Sequence, residues 1–151
     1  MRILFAHGDK TEMSKYLQAL GKYGSVDFFD NGRDAVDSFV NGFQTGNHYD
    51  LLVIDYDLKQ LDGVETVLMI RKYESEHMAS NKKSLIVFSS EDHHCKGLYE
   101  ARHRVDERIV FQSSPLNLSI VECIAERIDD DRYKDILPGL ARYRRQLNMF
   151  V

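Results

Sequence analysis

A carboxylate follows an apolar run near the middle of this chain. Residues 51–54 read Leu-Leu-Val-Ile, and Asp55 comes directly after them. A short apolar run bounded by polar residues predicts a buried strand, so the pattern places one acid at the edge of a sheet. The loop that follows ends in Asp62-Gly63, a turn pair in which glycine can adopt a positive φ. Ligands of open α/β sheets bind outside the carboxyl ends of the strands, so Asp55 marks a candidate site.

Further polar side chains stand at or just beyond the ends of predicted strands. Since parallel strands end at the same edge of a sheet, we expect these side chains to collect there with Asp55: Asp9, Asp57, Ser89 and Ser114. The three acids could bind a divalent ion weakly. The alternative is a solvated cluster in which each carboxylate raises the pKa of its neighbours.

Apolar segments alternate with segments of helical periodicity along the chain. We predict strands over 3–6, 26–29, 51–55, 84–90 and 108–112. Such alternation predicts an α/β protein with a parallel sheet, because right-handed crossovers place helices on both of its faces.

The predicted helices carry apolar residues at helical spacing. Thr11 is the predicted cap of the first. The expected inward residues of the first three helices are Met13, Leu17 and Leu20; Ala35, Val36, Phe39, Val40 and Phe43; and Val64, Val67, Leu68 and Ile70. We expect 74–83 to be an exposed polar extension, a fourth helix to be short or irregular within 91–107, and a fifth to cover 116–128.

The composition predicts one cytoplasmic domain and gives no indication of a membrane or nucleic-acid-binding protein. The chain has 151 residues, 43% of them hydrophobic, and a net charge of −4. No apolar run approaches the length of about 18 residues that a membrane span needs. Cys95 and Cys123 form no metal or disulfide motif, and 92–95 (Asp-His-His-Cys) is best interpreted as a solvated helix start.

The last segment of the chain differs from the rest. Residues 129–151 contain Pro138-Gly139, which should break a helix, and then a basic amphipathic stretch from Leu140. We therefore divide the chain into a domain over 1–128 and a C-terminal helical extension over 129–151. The extension could pack on its own domain, on a second copy of the chain or on a protein partner, and nucleic-acid contact is the weaker interpretation.

Residues 1 to about 128 resemble the receiver domain of bacterial two-component response regulators, which has a flavodoxin-like fold of the chemotaxis type. The resemblance depends on Asp55 with Asp62-Gly63 seven and eight residues later, on Ser89 and Phe111, and on Pro115 after the last strand. It implies a doubly wound five-stranded parallel sheet of order 2-1-3-4-5. It also implies that Asp55 is the phosphoacceptor, Ser89 the switch hydroxyl and Phe111 the switch aromatic.

The chain departs from that family where the chemistry is done. The two consecutive acids that hold Mg²⁺ in the family are His7-Gly8 here, and Asp9 lies one residue further on. The lysine before the proline is Ser114, and Lys59 stands in the loop after Asp55 as a cation at the rim. Phosphoryl transfer needs the charge on the phosphoryl oxygens neutralised, so we expect weak or absent phosphorylation of Asp55.

The resemblance thus predicts an atypical receiver that signals by binding proteins and is not an enzyme. We expect no cofactor and at most weak Mg²⁺ binding at Asp9 and Asp55. The expected partners are a histidine kinase, a downstream effector or a second copy, bound through the fourth helix, fifth strand and fifth helix or through the C-terminal segment.

Two alternatives stay open. In the first, a histidine kinase phosphorylates Asp55 conventionally, with Mg²⁺ held by substitute ligands. In the second, the fold binds FMN as flavodoxins do, although 7–10 (His-Gly-Asp-Lys) lacks the hydroxyl-rich phosphate cradle that this would require.

Overall fold

The computed structural model describes residues 1–77, 83–91 and 108–128. The predicted fourth helix, the 92–95 stretch and the C-terminal extension over 129–151 lie outside the described residues. No helix among the described residues is long and apolar enough to cross a membrane.

Five parallel strands form one sheet in the order β2-β1-β3-β4-β5, as predicted. The strands are β1 (Arg2–Ala6), β2 (Ser25–Phe29), β3 (Leu51–Asp55), β4 (Leu85–Ser90) and β5 (Ile109–Ser113). The helices are α1 (Met13–Leu20), α2 (Gly32–Gln44), α3 (Gly63–His77) and α4 (Leu118–Arg127), and a short 3₁₀ helix (Lys10–Glu12) precedes α1. The α4 helix is the fifth of the predicted helices.

The hydrophobic core has two halves, one on each face of the sheet. Alternate residues of β3 serve the two halves: Leu51 and Val53 face α1 and α4, whereas Leu52 and Ile54 face α2 and α3. Both faces of the central strands are therefore buried, which explains why their sequences are apolar without interruption.

The first helix begins differently from the prediction. Asp9, not Thr11, caps the 3₁₀ helix, and its carboxylate accepts a hydrogen bond from the main-chain N–H of Thr11. The buried residues of α1 are Tyr16 and Leu20, whereas Met13 and Leu17 are only partly buried. The side chain of Tyr16, rather than those of Met13 and Leu17, is therefore buried in the core together with Leu20.

A reciprocal pair of hydrogen bonds begins α3. The main-chain N–H of Glu65 donates to the Asp62 carboxylate at 2.8 Å, and the main-chain N–H of Asp62 donates to the Glu65 carboxylate at 3.0 Å. This capping box satisfies two donors at the helix start. Leu68, which we predicted to be buried, is 38% exposed because it faces away from α2 and the sheet.

The prediction that 74–83 is an exposed extension is wrong at its first residue. Glu74 belongs to α3 and is 0% exposed. Its carboxylate pairs with Arg71 at 2.6 Å and accepts from the main-chain N–H of Ser84 at 2.9 Å, while Arg71 donates to the carbonyls of Ser84 and Arg108. A buried ion pair thus ties α3 to the starts of β4 and β5.

Candidate functional site

Four polar side chains form a row across the carboxyl edge of the sheet. Asp55 pairs in register with Ser89 of β4, and Ser89 pairs with Gln112 of β5. The register of β1 and β3 places His7, the residue after β1, beside Asp55. Strand alternation directs all four toward the face that α1 and α4 cover. We call His7, Asp55, Ser89 and Gln112 the edge row.

Asp55 is the partly buried acid at the centre of the edge row. Burial raises its pKa, and the nearby charge of Asp57 adds to that effect. Opposing contributions come from protonated His7, from the Ser89 hydroxyl and from the main-chain N–H of Asp57, which donates to the carboxylate. The net effect is a raised pKa, so ionised Asp55 is less favourable here than in water.

Asp9 is exposed and is engaged by its own loop. Its carboxylate accepts hydrogen bonds from the Thr11 main-chain N–H at 2.8 Å and from the Thr11 hydroxyl at 2.7 Å, and these lower the pKa of Asp9. The prediction that neighbouring carboxylates raise its pKa is therefore wrong for Asp9, although it holds for Asp57 acting on Asp55.

The His7 ring packs in the space above β1. It lies 6.0 Å from the Phe5 ring and 5.8 Å from the Tyr16 ring, measured between centroids. Its Nδ1 accepts a hydrogen bond from the main-chain N–H of Asp9 at 3.0 Å, so a neutral His7 carries its proton on Nε2. An imidazole with fixed neighbours thus occupies the position of the first missing acid.

Gly8 stands at the position of the second missing acid, and the structure leaves no room for a side chain there. A Cβ on Gly8 would lie 2.5 Å from the main-chain carbonyl oxygen of Asp57, closer than the 3.0 Å that real Cβ atoms respect. The loop after β3 therefore fills the volume that a carboxylate at position 8 would need.

Main-chain contacts hold that loop in place. The N–H of Tyr56 donates to the carbonyl of Ser89 at 2.7 Å, and the N–H of Gly63 donates to the carbonyl of Tyr56 at 2.8 Å. The residue with positive φ is Gln60, at 66°, rather than Gly63 as we predicted. Glycine is needed at 63 because a Cβ would collide with the main chain of Asp55 and Tyr56.

The contacts that the structure shows for the lysines near the site do not involve Asp55. Lys59 is exposed, and its main chain pairs with Asn31 at the start of α2, where its carbonyl accepts from the N–H of Gly32 at 3.1 Å. Lys10 forms an ion pair with Asp30 at 2.8 Å. Ser114, at the position of the family's lysine, is partly buried and precedes a cis peptide bond to Pro115. Apart from His7, no cation among the described residues acts on Asp55.

The donor set does not fit a magnesium ion. Within residues 1–77, 83–91 and 108–128, no three His, Cys, Asp or Glu side chains are placed to hold a metal. Mg²⁺ requires near-octahedral oxygen ligands at about 2.1 Å. Asp55 offers one carboxylate, Asp9 is bound to Thr11, and position 8 has no side chain.

Phe111 lies on the other face of the sheet from the edge row. It is 6% exposed and packs edge-to-face on Phe88, with 6.0 Å between ring centroids. Phe111, the switch aromatic that the resemblance implies, is therefore buried in this structure. A buried aromatic at this position stabilises the core between β4 and β5.

Sequence reasoning missed two residues of the site. Tyr16 is 2% exposed, and burial, the Glu12 hydrogen bond at 3.0 Å and the charges of Asp55 and Asp9 raise its pKa to about 12. Gln112 is 1% exposed. The alternation of β5 could have revealed Gln112, because Val110 and Gln112 share a face and one of them is polar.

Comparison with known proteins identifies the fold. No protein-family model matches the sequence, and no curated protein matches it. Among solved structures, the receiver domain of Francisella response regulator 1452 has a TM-score of 0.62 at 16% identity, covering 84% of this chain and 94% of that chain. A CheY-like receiver domain from Methanospirillum hungatei has a TM-score of 0.64 at 15% identity, covering 88% and 97%.

A third structure in the same class is the beryllofluoride-activated receiver domain of DrrB. Its TM-score is 0.57 at 20% identity, and the match covers 84% of this chain and 95% of that chain. The five-stranded parallel sheet and these similarities show that the chain has the receiver-domain, CheY-like fold.

Proposed function

We propose that this protein is an atypical receiver module of two-component signalling that acts by binding other proteins and is phosphorylated slowly or not at all. The main support is the close approach of Gly8 to the carbonyl of Asp57. It means that the second acid of a metal-binding pair is missing and that its space is filled. Asp55 is retained without the charges that would help it to accept a phosphoryl group.

The electrostatic deficit is large enough to matter. A metal ion and an ammonium group each stabilise the transition state of phosphoryl transfer by several kcal/mol, and about 1.4 kcal/mol corresponds to a tenfold rate. His7 does not replace these groups, because its Nδ1 accepts a hydrogen bond from the main-chain N–H of Asp9 in this structure, as only a neutral imidazole can. The residues around Asp55 are therefore compatible with the fold but do not favour fast phosphoryl transfer to Asp55.

Conventional phosphotransfer is the alternative, and one observation favours it. Ser89 is in register with Asp55, and its buried hydroxyl has no hydrogen-bond partner among the described residues. A phosphoryl oxygen on Asp55 would provide an acceptor for that hydroxyl. This alternative still requires substitute ligands for Mg²⁺.

Protein binding is the expected output in either case. We expect the partner to be a histidine kinase, an effector or a second copy of the chain. The surface proposed for it comprises the segment 91–107, β5 and α4, together with the C-terminal extension, which lies outside the described residues. Truncation before Leu140 should therefore change the sedimentation behaviour if the extension mediates self-association.

Intact-mass spectrometry tests the phosphorylation state directly. The full chain and Asp55→Asn are incubated with Mg²⁺ and acetyl phosphate, and the mass is followed over time. We expect little or no phosphate on either protein. Beryllofluoride with Mg²⁺ provides a second probe, read from the amide resonances around Asp55.

Rapid incorporation of one phosphate that Asp55→Asn abolishes would replace the proposal with conventional phosphotransfer. Incorporation at equal rates in both proteins would show that another residue is modified, and Asp55 would then remain the unphosphorylated acid of the proposal.

A further inference from the structure

Gln112 is a polar side chain in a position that should be apolar. It is 1% exposed and shares a strand face with Val110, which belongs to the core under α1 and α4. Burying a carboxamide is unfavourable unless its hydrogen-bonding groups are satisfied. A hydrocarbon side chain could be buried there without this desolvation penalty, so the presence of an amide indicates a role for its polar atoms.

One half of the Gln112 amide has a partner. Its Oε1 accepts a hydrogen bond from the main-chain N–H of Asn117 at 2.9 Å. Asn117 is the N-cap of α4, and its own side chain accepts from the N–H of Ile120 at 3.4 Å. Gln112 is therefore joined to the first turn of α4. This contact also sets the orientation of the amide, because only the oxygen can accept.

The other half of the amide points away from Asn117. Its Nε2 has no hydrogen-bond partner within the described chain, and the same is true of Ser89 Oγ, the neighbouring group of the edge row. Ser89 and Gln112 are register partners on adjacent parallel strands, which lie about 4.8 Å apart. Ser89 in turn is the register partner of Asp55.

The Ser89 hydroxyl lies beside Asp55 in the sheet register. It lies close enough to lower the pKa of Asp55, although it does not meet the geometry of a hydrogen bond. A hydroxyl can turn between acceptor and donor roles, whereas an amide nitrogen can only donate. By rotating, the Ser89 hydroxyl can therefore donate to an ionised Asp55 and accept from Gln112, two hydrogen bonds that this structure does not form.

We propose that Gln112 is a positioning residue of the Asp55 site, which passes the state of Asp55 through Ser89 to the first turn of α4. The route is Asp55, Ser89, Gln112 and the N–H of Asn117, along the face of the sheet under α1 and α4. It depends on the proposed function only in taking Asp55 as the group whose state is read. It does not require Asp55 to be phosphorylated.

This route is distinct from one through Phe111. Phe111 lies on the opposite face, packed against Phe88. A signal carried by Phe111 would reach the side of the sheet covered by α2 and α3, whereas one carried by Gln112 reaches the N-cap of α4. The two routes therefore predict different effects of substitutions at neighbouring positions of β5.

The test uses Asp55→Asn as a change of charge with little change of shape. In the ¹⁵N-labelled full chain, we expect Asp55→Asn to shift the amide resonances of Asn117 and Ile120. The same substitution is then made in the Ser89→Ala, Gln112→Met and Phe111→Leu backgrounds. Ser89→Ala is the sharper variant, because it breaks the route but leaves the hydrogen bond between Gln112 and Asn117 intact.

The expected result is loss of most of the Asn117 and Ile120 shift in Ser89→Ala and in Gln112→Met, with the shift retained in Phe111→Leu. A purely structural Gln112, one that only holds the loop before α4, would leave the response unchanged in Ser89→Ala. That outcome overturns the inference, as does absence of a response in the wild-type background. If Gln112→Met does not fold, Ser89→Ala alone decides the result.

The phosphorylation experiment has a separate outcome. Phosphate on Asp55, or its absence, would leave the comparison between Asp55→Asn backgrounds unaffected. Failure of the proposed function and failure of this inference are therefore distinguishable.

Discussion

Placing an acid back at position 8 should destabilise the protein without creating a metal site. A Cβ on Gly8 would lie 2.5 Å from the Asp57 carbonyl oxygen, about 0.9 Å inside the 3.4 Å at which ordinary contact begins. Overpacking of this kind costs about 1–3 kcal/mol. Replacing glycine also lowers the conformational entropy of the unfolded chain, which stabilises the folded state by about 0.4–1 kcal/mol. We therefore expect Gly8→Ala to lower the free energy of unfolding by about 1–2 kcal/mol.

The displacement of the loop after β3 in Gly8→Ala should also affect Asp55. To admit a methyl group, the loop must carry the Asp57 carbonyl away from Gly8, and the main-chain N–H of Asp57 donates to the Asp55 carboxylate. Because that hydrogen bond lowers the pKa of Asp55, weakening it should raise the pKa further. Gly8→Asp places a carboxylate as well as a methylene against this displaced loop, so its effect on stability should be at least that of Gly8→Ala.

Urea unfolding followed by circular dichroism, with and without excess Mg²⁺, measures both effects. His7→Asp is the matched variant, since its new carboxylate enters space that an imidazole already occupies. A ligand that binds only the folded state stabilises it by RT ln(1 + [L]/Kd). We expect Mg²⁺ to stabilise His7→Asp more than the wild type, and to leave Gly8→Asp and Gly8→Ala unchanged.

Two results would refute this reasoning. Wild-type stability in Gly8→Ala would mean that the loop moves freely and that the close contact does not limit the site. Stabilisation of Gly8→Asp by Mg²⁺, at a level equal to or above that of His7→Asp, would mean that an acid at position 8 is accommodated and binds metal.

Three further tests concern the electrostatics and the helix cap. Asp55→Asn should raise the free energy of unfolding at neutral pH. The pKa of Asp55 in the folded state is above 3.8, so its ionised form opposes folding. Urea titrations at a series of pH values should show this stabilisation becoming smaller as the pH falls toward 3.8. Glu74→Gln should cost about 3–5 kcal/mol, because it leaves the Arg71 guanidinium buried without its charge partner, whereas Arg71→Met combined with Glu74→Leu should be closer to neutral in a double-mutant cycle. Asp62→Ala should cost about 1 kcal/mol in thermal unfolding, because it removes the carboxylate that accepts from the N–H of Glu65, and a much smaller loss would mean that the Asp62 side chain contributes little to the start of α3.

Local patterns of the chain were sufficient to predict the sheet. The three central strands, β1, β3 and β4, are short, mainly apolar runs, and β3 begins and ends where the sequence predicted, at Leu51 and Asp55. Ile120, Ile124 and Ile128 are buried as their spacing indicated. These elements depend on the burial of alternate or helically spaced residues, which is a property of neighbours along the chain.

Contacts between distant segments were not predictable in the same way. Glu74 looked like the start of a polar extension, but it is buried because Arg71 and the main chain of Ser84 satisfy its carboxylate. Glycine at 63 suggested a left-handed residue, whereas Gln60 adopts that conformation and Gly63 is needed to avoid the main chain after β3.

The sequence by itself determined the receiver-like alternation of strands and helices, the position of Asp55 at the end of β3, and the absence of acids at positions 7 and 8. Only the tertiary structure decided what replaces those acids: a His7 ring packed on Phe5, and the Asp57 carbonyl set against Gly8. The reason is physical. Residue type and local spacing select the secondary structure, but the volume and charge around Asp55 are set by loops that meet there from separate parts of the chain.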